Sequence, residues 1–181
     1  IKKLSTSDRW LTITRKSPSP DRLLSIYNSS MTIFDKTYWD KNYSDPMSMD
    51  GIGNAREHAR YLKAFLAVEH VEIESIIDLG FGYGHLFREM MRTFIPYRAV
   101  GIEPSPHAFK KAKSDKWKPV ESTRLKLYQE DLLTWCATER KRNNTFDLGI
   151  CTSVLQYLSD KELKEVLPIM AERIKYIYLT V

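Results

Sequence analysis

An aspartate and three alternating glycines, Asp78-Leu79-Gly80-Phe81-Gly82-Tyr83-Gly84, follow the apolar pair Ile76-Ile77 and lead into a helical pattern at His85-Leu86. Glycine tolerates positive φ and has no Cβ, so Gly80, Gly82 and Gly84 let the backbone turn sharply and approach a bound group closely. Peptide N–H groups and the positive end of the following helix then face the space above the turn. The spacing excludes one ligand class. A dinucleotide turn, G-x-G-x-x-G, needs glycine at 85 counted from Gly80 or at 87 counted from Gly82, and the residues there are His85 and Phe87. The missing third glycine is the one that allows tight helix packing over a pyrophosphate. Asp78 would sit badly against a pyrophosphate and suits a ligand end that carries an ammonium group.

Two further carboxylates fall at predicted strand ends, where ligands bind in open α/β sheets. Glu103 follows Ala99-Val100-Gly101-Ile102, and an ionised carboxylate there can accept hydrogen bonds from both hydroxyls of a ribose. Asp131 ends Tyr128-Gln129-Glu130-Asp131, at the height where a carboxylate can take a hydrogen bond from an adenine amino group; Glu130 competes for that role. The stretch from Phe146 to Leu158 then supplies a strand and a short turn beside the glycine loop.

The elements that must position these groups alternate along the chain. From residue 75 onward, short apolar runs alternate with longer helical patterns, the signature of βαβ units and a parallel sheet. Five strands are predicted, over Ser75 to Asp78, Arg98 to Ile102, Leu125 to Gln129, Phe146 to Cys151 and Lys175 to Thr180. Leu86, Met90 and Met91, flanked by Phe87 and Phe94, form a helical stripe that reads as core. Ser105-Pro106 is a helix start, and Ser159-Asp160-Lys161-Glu162 has the form of a capping box ahead of Leu163, Val166 and Leu167. Pro168 is expected to kink or divide that helix. Glu139-Arg140-Lys141-Arg142-Asn143-Asn144 reads as a solvated loop.

Residues 1–70 differ in character and read as an N-terminal extension with helices, against a core over 71–181. Ser17-Pro18-Ser19-Pro20 is a turn or linker, and Trp10 to Thr14 alternates weakly, as an edge strand would. Helices are expected over 21–39 and 54–67, separated by a mobile loop from Tyr43 to Gly53.

Of 181 residues, 43% are hydrophobic and 28% charged, the balance of a globular domain rather than a disordered chain. No apolar run approaches the roughly 20 residues that span a bilayer, and no basic segment precedes an apolar signal stretch, so a cytoplasmic location is expected and a membrane partner is not. Cys136 and Cys151 have neither CxxC spacing nor a histidine cluster, which argues against a disulfide framework or a zinc site. The net charge of +5 is scattered and is weak evidence for nucleic acid. The sequence opens on Ile1 rather than methionine, as a chain lacking its true beginning would.

Over about residues 75 to 181 the chain resembles the class I, seven-stranded S-adenosylmethionine-dependent methyltransferases. Asp78, Gly80, Gly82 and Gly84 match the family's cofactor loop, Glu103 its ribose-binding acid, and Asp131 its adenine-side acid. Tyr38-Trp39-Asp40-Lys41-Asn42-Tyr43 is similar to an N-terminal segment that such enzymes fold over the cofactor. The resemblance implies an α/β, doubly wound, Rossmann-like sandwich with strand order 3-2-1-4-5, and S-adenosylmethionine as cofactor with S-adenosylhomocysteine as product. It implies cofactor contacts at Asp78, Gly80, Phe81, Gly82, Gly84, Glu103, Pro104, Asp131, Leu132 and Cys151, and no metal. The family continues past its fifth strand into a helix and an antiparallel strand pair, whereas this sequence stops at Val181, so the terminal strands are expected to be missing. Cover for the exposed sheet edge is then expected from another chain, as in a homodimer, from a missing segment, or from the N-terminal region.

The chemistry implied is displacement of a methyl group from a sulfonium, for which a dedicated base is optional; His58, His85, Tyr43 and Tyr157 are candidates near the mouth. His107 and the lysines at 110, 111 and 113 read as helix surface away from the chemistry. The segment after the fourth strand lacks the (Asp or Asn)-Pro-Pro-(Tyr or Phe) pattern that grips a flipped nucleobase. The first expectation is a small-molecule substrate, methylated on oxygen or nitrogen. An RNA or protein substrate is the second, and a non-catalytic binding domain the third. Three cofactor carboxylates at strand ends argue against the last.

Overall fold

The computed structural model describes residues 10–13, 34–45, 47, 51–114, 122–142 and 144–180. The five predicted strands are present within one residue of their expected bounds: β2 (Ser75–Leu79), β3 (Arg98–Ile102), β4 (Arg124–Tyr128), β5 (Phe146–Thr152) and β6 (Ile174–Thr180). They take the expected order, and β1 (Trp10–Ile13) adds a sixth strand to the sheet, β1-β6-β5-β2-β3-β4, with every pairing parallel. The edge of β6 is thus covered by the N-terminal region, in a register running from Trp10 opposite Ile177 to Ile13 opposite Thr180.

Helices lie on both faces, which is why the strands read as near-continuous apolar runs. Side chains alternate between faces, so Ile76 packs with α2 (Ala55–Val68) and α3 (His85–Phe94). Ile77 and Leu79 pack with α5 (Leu132–Arg142) and α6 (Asp160–Arg173). The expected boundary at residue 70 marks a change in sequence character; in space β1 lies in the sheet and α2 in the first apolar cluster. A third cluster joins Trp39, Tyr83 and Ala108. It connects α1 (Lys36–Asn42) and α4 (Pro106–Ser114) across the glycine loop.

The helix ends follow local chemistry. Ser159 and Glu162 form the predicted capping box, and the Ser105 hydroxyl accepts the Ala108 N–H at 3.3 Å. Pro168 does not divide α6, which runs through it in one piece. Val166, Ile169 and Met170 are buried around it, and that burial outweighs the hydrogen bond a helical proline cannot donate. The charge run is helix and not loop up to Arg142. Its first member, Glu139, is buried and accepts a hydrogen bond from Asn144 Nδ2 at 2.9 Å. Of the helix expected over 21–39, the described part begins only at Lys36, because Asp35 is extended and its carboxylate caps the Tyr38 N–H. The 17–20 turn and residues 21–33 lie outside the described residues. Between α1 and α2, the described residues form bends and turns, apart from Met47, which is in a 3₁₀ conformation. Among the described residues, no helix is long and apolar enough to cross a membrane.

Candidate functional site

The glycine loop joins β2 to α3 at the carboxyl end of the sheet. Gly80, Gly82 and Gly84 have φ of 91°, 55° and 75°. Gly80 N–H and Phe81 N–H both donate to the Ile102 carbonyl, at 2.9 and 3.1 Å, which ties the loop to the tip of β3. At Gly80 a Cβ would lie 2.5 Å from Val154 Cγ2, so the turn is closed to any other residue in this geometry. The Phe81 ring faces the core beside Phe87 and Phe109, leaving its backbone to line the space above.

Asp78, on the face of β2 turned to α2 and α3, is 2% exposed, and its Oδ1 has no hydrogen-bond partner. Burial above all, and then the charge of Glu103, pushes its carboxyl well above the usual carboxylate range. A buried acceptor left open in this way is costly unless something arrives to use it. An ammonium group fits that requirement in both charge and hydrogen-bonding capacity.

Glu103 is 4% exposed and bridges two backbone donors: Gly82 N–H reaches Oε2 at 2.8 Å and Ser105 N–H reaches Oε1 at 2.8 Å. Burial raises its carboxyl from 4.5 to about 7 against the lowering effect of those two N–H groups. The folded state therefore binds a proton that the unfolded state has already released between those values. This contribution to stability is complete below about pH 4.5 and is lost as the pH rises through about 7, on the order of 3 kcal/mol in all. Glu103→Gln is expected to flatten that fall, measured as the difference in Tm between variant and parent from pH 4 to 8. An unchanged pH slope in the variant would contradict the assignment.

The other predicted residues differ in their settings. Asp131 Oδ1 accepts the Thr134 N–H at 2.7 Å and so caps α5. Leu132 and Cys151 are buried in the second apolar cluster, and Pro104 is exposed. Cys151 is fully enclosed, and burial pushes its thiol up.

A cavity of about 310 Å³ opens above the loop. Five of the ten predicted residues line it, namely Asp78, Gly80, Phe81, Gly82 and Gly84; Glu103, Pro104, Asp131, Leu132 and Cys151 do not. Four tyrosines, Tyr38, Tyr43, Tyr83 and Tyr157, are among the residues that line it. Tyr38 and Tyr157 share a hydrogen bond between hydroxyls at 2.9 Å, and Tyr43 stands beside them. Burial holds the Tyr38 and Tyr43 phenols far above their ordinary value, so both remain protonated donors. His58 also lines the cavity, with Nδ1 hydrogen-bonded to the Tyr178 hydroxyl. His85 is the first residue of α3 and lines the cavity too, while His107 sits on α4 with its ring 6.3 Å from Tyr83. Lys111, rather than being only solvated surface, lies with Nζ 4.0 Å from the Tyr83 ring.

Ser153 lines the cavity on the turn expected beside the glycine loop, whereas sequence reasoning missed Thr180 in this wall. The Ser153 N–H donates to the Thr180 carbonyl at 2.9 Å, and Ser153 has a φ of 55°, a strained conformation of the kind that clusters at functional sites. The one available signal for Thr180 was position, at the carboxyl end of a strand next to the one that leads to Ser153. Among the described residues, no group of three or more metal-ligating side chains occurs.

The family model for a methyltransferase domain matches residues 76–176. In fold, the chain is similar to an S-adenosylmethionine-dependent methyltransferase from Clostridium acetobutylicum, with a TM-score of 0.58 and 14% identity over 79% of this chain and 54% of that one. It is similar also to the methyltransferase domain of bacterial CtHen1, with a TM-score of 0.52 and 20% identity over 68% and 64%. A third is the N-methyltransferase NodS from Bradyrhizobium japonicum, solved with S-adenosylhomocysteine, with a TM-score of 0.51 and 17% identity over 74% and 66%. The chain thus spans about two thirds or less of the length of these structures. Compared by sequence with curated proteins, it has no significant match.

Proposed function

Because the chain belongs to the methyltransferase-domain family, the class I Rossmann-like enzymes that use S-adenosylmethionine, we propose that it transfers a methyl group to an oxygen or nitrogen atom of a small-molecule acceptor. The observation that carries this reading is the open Asp78 carboxylate at the cavity, beneath a loop of three positive-φ glycines. S-adenosylmethionine supplies an activated methyl group on a sulfonium, an excellent leaving group.

Asp78 then holds the ammonium end of the cofactor, and the glycine loop lets its backbone lie against the ligand. Glu103 takes the ribose hydroxyls and Asp131 the adenine side. The protonated Tyr38 and Tyr43 hydroxyls orient the acceptor by donating hydrogen bonds, and the tyrosine wall keeps water away from it. Positioning of this kind is worth effective molarities of about 10⁵ to 10⁸ M and can supply much of the acceleration without a dedicated base. The lack of lysine or arginine among the described residues that line the cavity favours a small acceptor over a phosphate backbone.

The test is a calorimetric titration with S-adenosylmethionine and S-adenosylhomocysteine, with NAD as control. Micromolar binding of both sulfur ligands and none of NAD is expected. Binding of NAD, or of neither sulfur ligand, would overturn the reading.

A further inference from the structure

Asp78 and Glu103 are two buried carboxyls at the carboxyl ends of neighbouring strands. Asp78 lies opposite Gly101 in the pairing of β2 with β3, and Glu103 follows the last residue of β3. Burial makes a charge in either place costly, and the charge of Glu103 adds to that cost at Asp78. No cation offsets it. Among the described residues, the titratable groups that act on Asp78 are Glu103 and Cys151, and those that interact with Glu103 are Asp78, Tyr38 and Tyr43. Lysine, arginine and histidine are missing from both sets.

The two carboxyls differ in hydrogen bonding. Glu103 has the Gly82 and Ser105 N–H donors, each at 2.8 Å, which favour its ionised form, and burial still holds its carboxyl at about 7. Asp78 Oδ1 has no donor at all. A buried carboxyl with an open oxygen and no cation beside it keeps its proton where an exposed one has lost it.

We infer that Asp78 and Glu103 are a proton-storing pair, so that cofactor binding is an exchange in which the ligand enters as protons leave, and affinity falls as the medium becomes more acidic. This rests on the proposed function and gives that site a regulation. At Asp78 the O–H bond breaks, the proton passes to solvent, and the carboxylate left behind pairs with the ammonium group of the ligand. At Glu103 the ribose hydroxyls join the two N–H donors, and a carboxylate so surrounded holds its charge without a proton. Protons and ligand therefore oppose each other, and the coupling is reciprocal. Below about pH 7 the free Glu103 carries a proton that the complex has lost, which raises Kd by roughly tenfold between pH 8 and pH 6. Asp78, shifted the same way, adds to the rise.

The experiment is calorimetry with S-adenosylhomocysteine on the parent protein, run in phosphate and again in imidazole, buffers whose heats of ionisation differ. Near pH 6.5, about one to two protons are expected to leave for each ligand bound, and Kd is expected to rise by about tenfold or more from pH 8 to pH 6. Infrared difference spectra give an independent readout, in which the carbonyl band of a protonated carboxyl disappears as the ligand binds. Asp78→Asn and Glu103→Gln, measured without ligand, are each expected to lack part of that band. The parent decides the matter if either variant does not fold. Ligand binding with equal heats in the two buffers, or with a Kd that does not change over this range, overturns the proton exchange while leaving the cofactor assignment standing. A parent that ignores the ligand at every pH overturns the two together.

Discussion

Asp78→Asn is expected to stabilise the free protein and to weaken S-adenosylmethionine binding by about two orders of magnitude. Both effects come from one buried oxygen. In the free protein Asp78 is 2% exposed, its Oδ1 is unpartnered, and Glu103 faces it as a like charge. An asparagine carries no charge into that environment, and relief of about 1 to 3 kcal/mol is the usual scale for a buried group without its partner. The sign with pH follows from the upward shift. A carboxyl raised in the folded state contributes stability at low pH that is lost as the pH rises, so the gain from asparagine grows toward pH 8. On the ligand side, removing one member of a buried charge pair leaves the other unpaired, at about 2 to 5 kcal/mol. Chemical denaturation of the free variant and calorimetry with the cofactor measure the two halves. A variant that loses stability, or that keeps parental affinity, would falsify the assignment of Asp78 to the ammonium group.

Gly82→Val is expected to abolish detectable cofactor binding while the protein still folds. The φ of 55° is open to glycine and strained for a β-branched residue by about 1 to 3 kcal/mol. The new side chain also enters from the position 3.3 Å from Trp39 Cη2. Valine projects further than a single Cβ, so it must displace the indole and fill the space the ligand needs. Circular dichroism would report a native spectrum with a lower Tm, and calorimetry no heat. Normal binding would place the ligand away from the glycine loop.

Some of this arrangement was legible in the sequence because it depends on local pattern. The strands from Ser75 to Thr180 are short apolar runs with helices between them, and right-handed parallel connections leave few ways to order them. The glycine loop and Asp78 were readable because turn, strand tip and helix start are adjacent in the chain. The docking of Trp39 was not, since it joins residue 39 to Gly82 and Ser105, and nothing near Trp39 names those partners. The packing of Glu139 was hidden by its charged neighbours, which invite a solvated reading. Pro168 misled for the opposite reason, a strong local preference overruled by burial on either side of it.

The pairing of β1 with β6 sets an order of events during synthesis. Trp10–Ile13 leaves the ribosome long before the strand it pairs with, Ile174–Thr180. Closing so long a loop is slow and gains nothing until both ends exist. β1 can therefore join the sheet only after β6 has been made, and the nascent chain must carry it unpaired through the synthesis of the glycine loop and the strands that follow it.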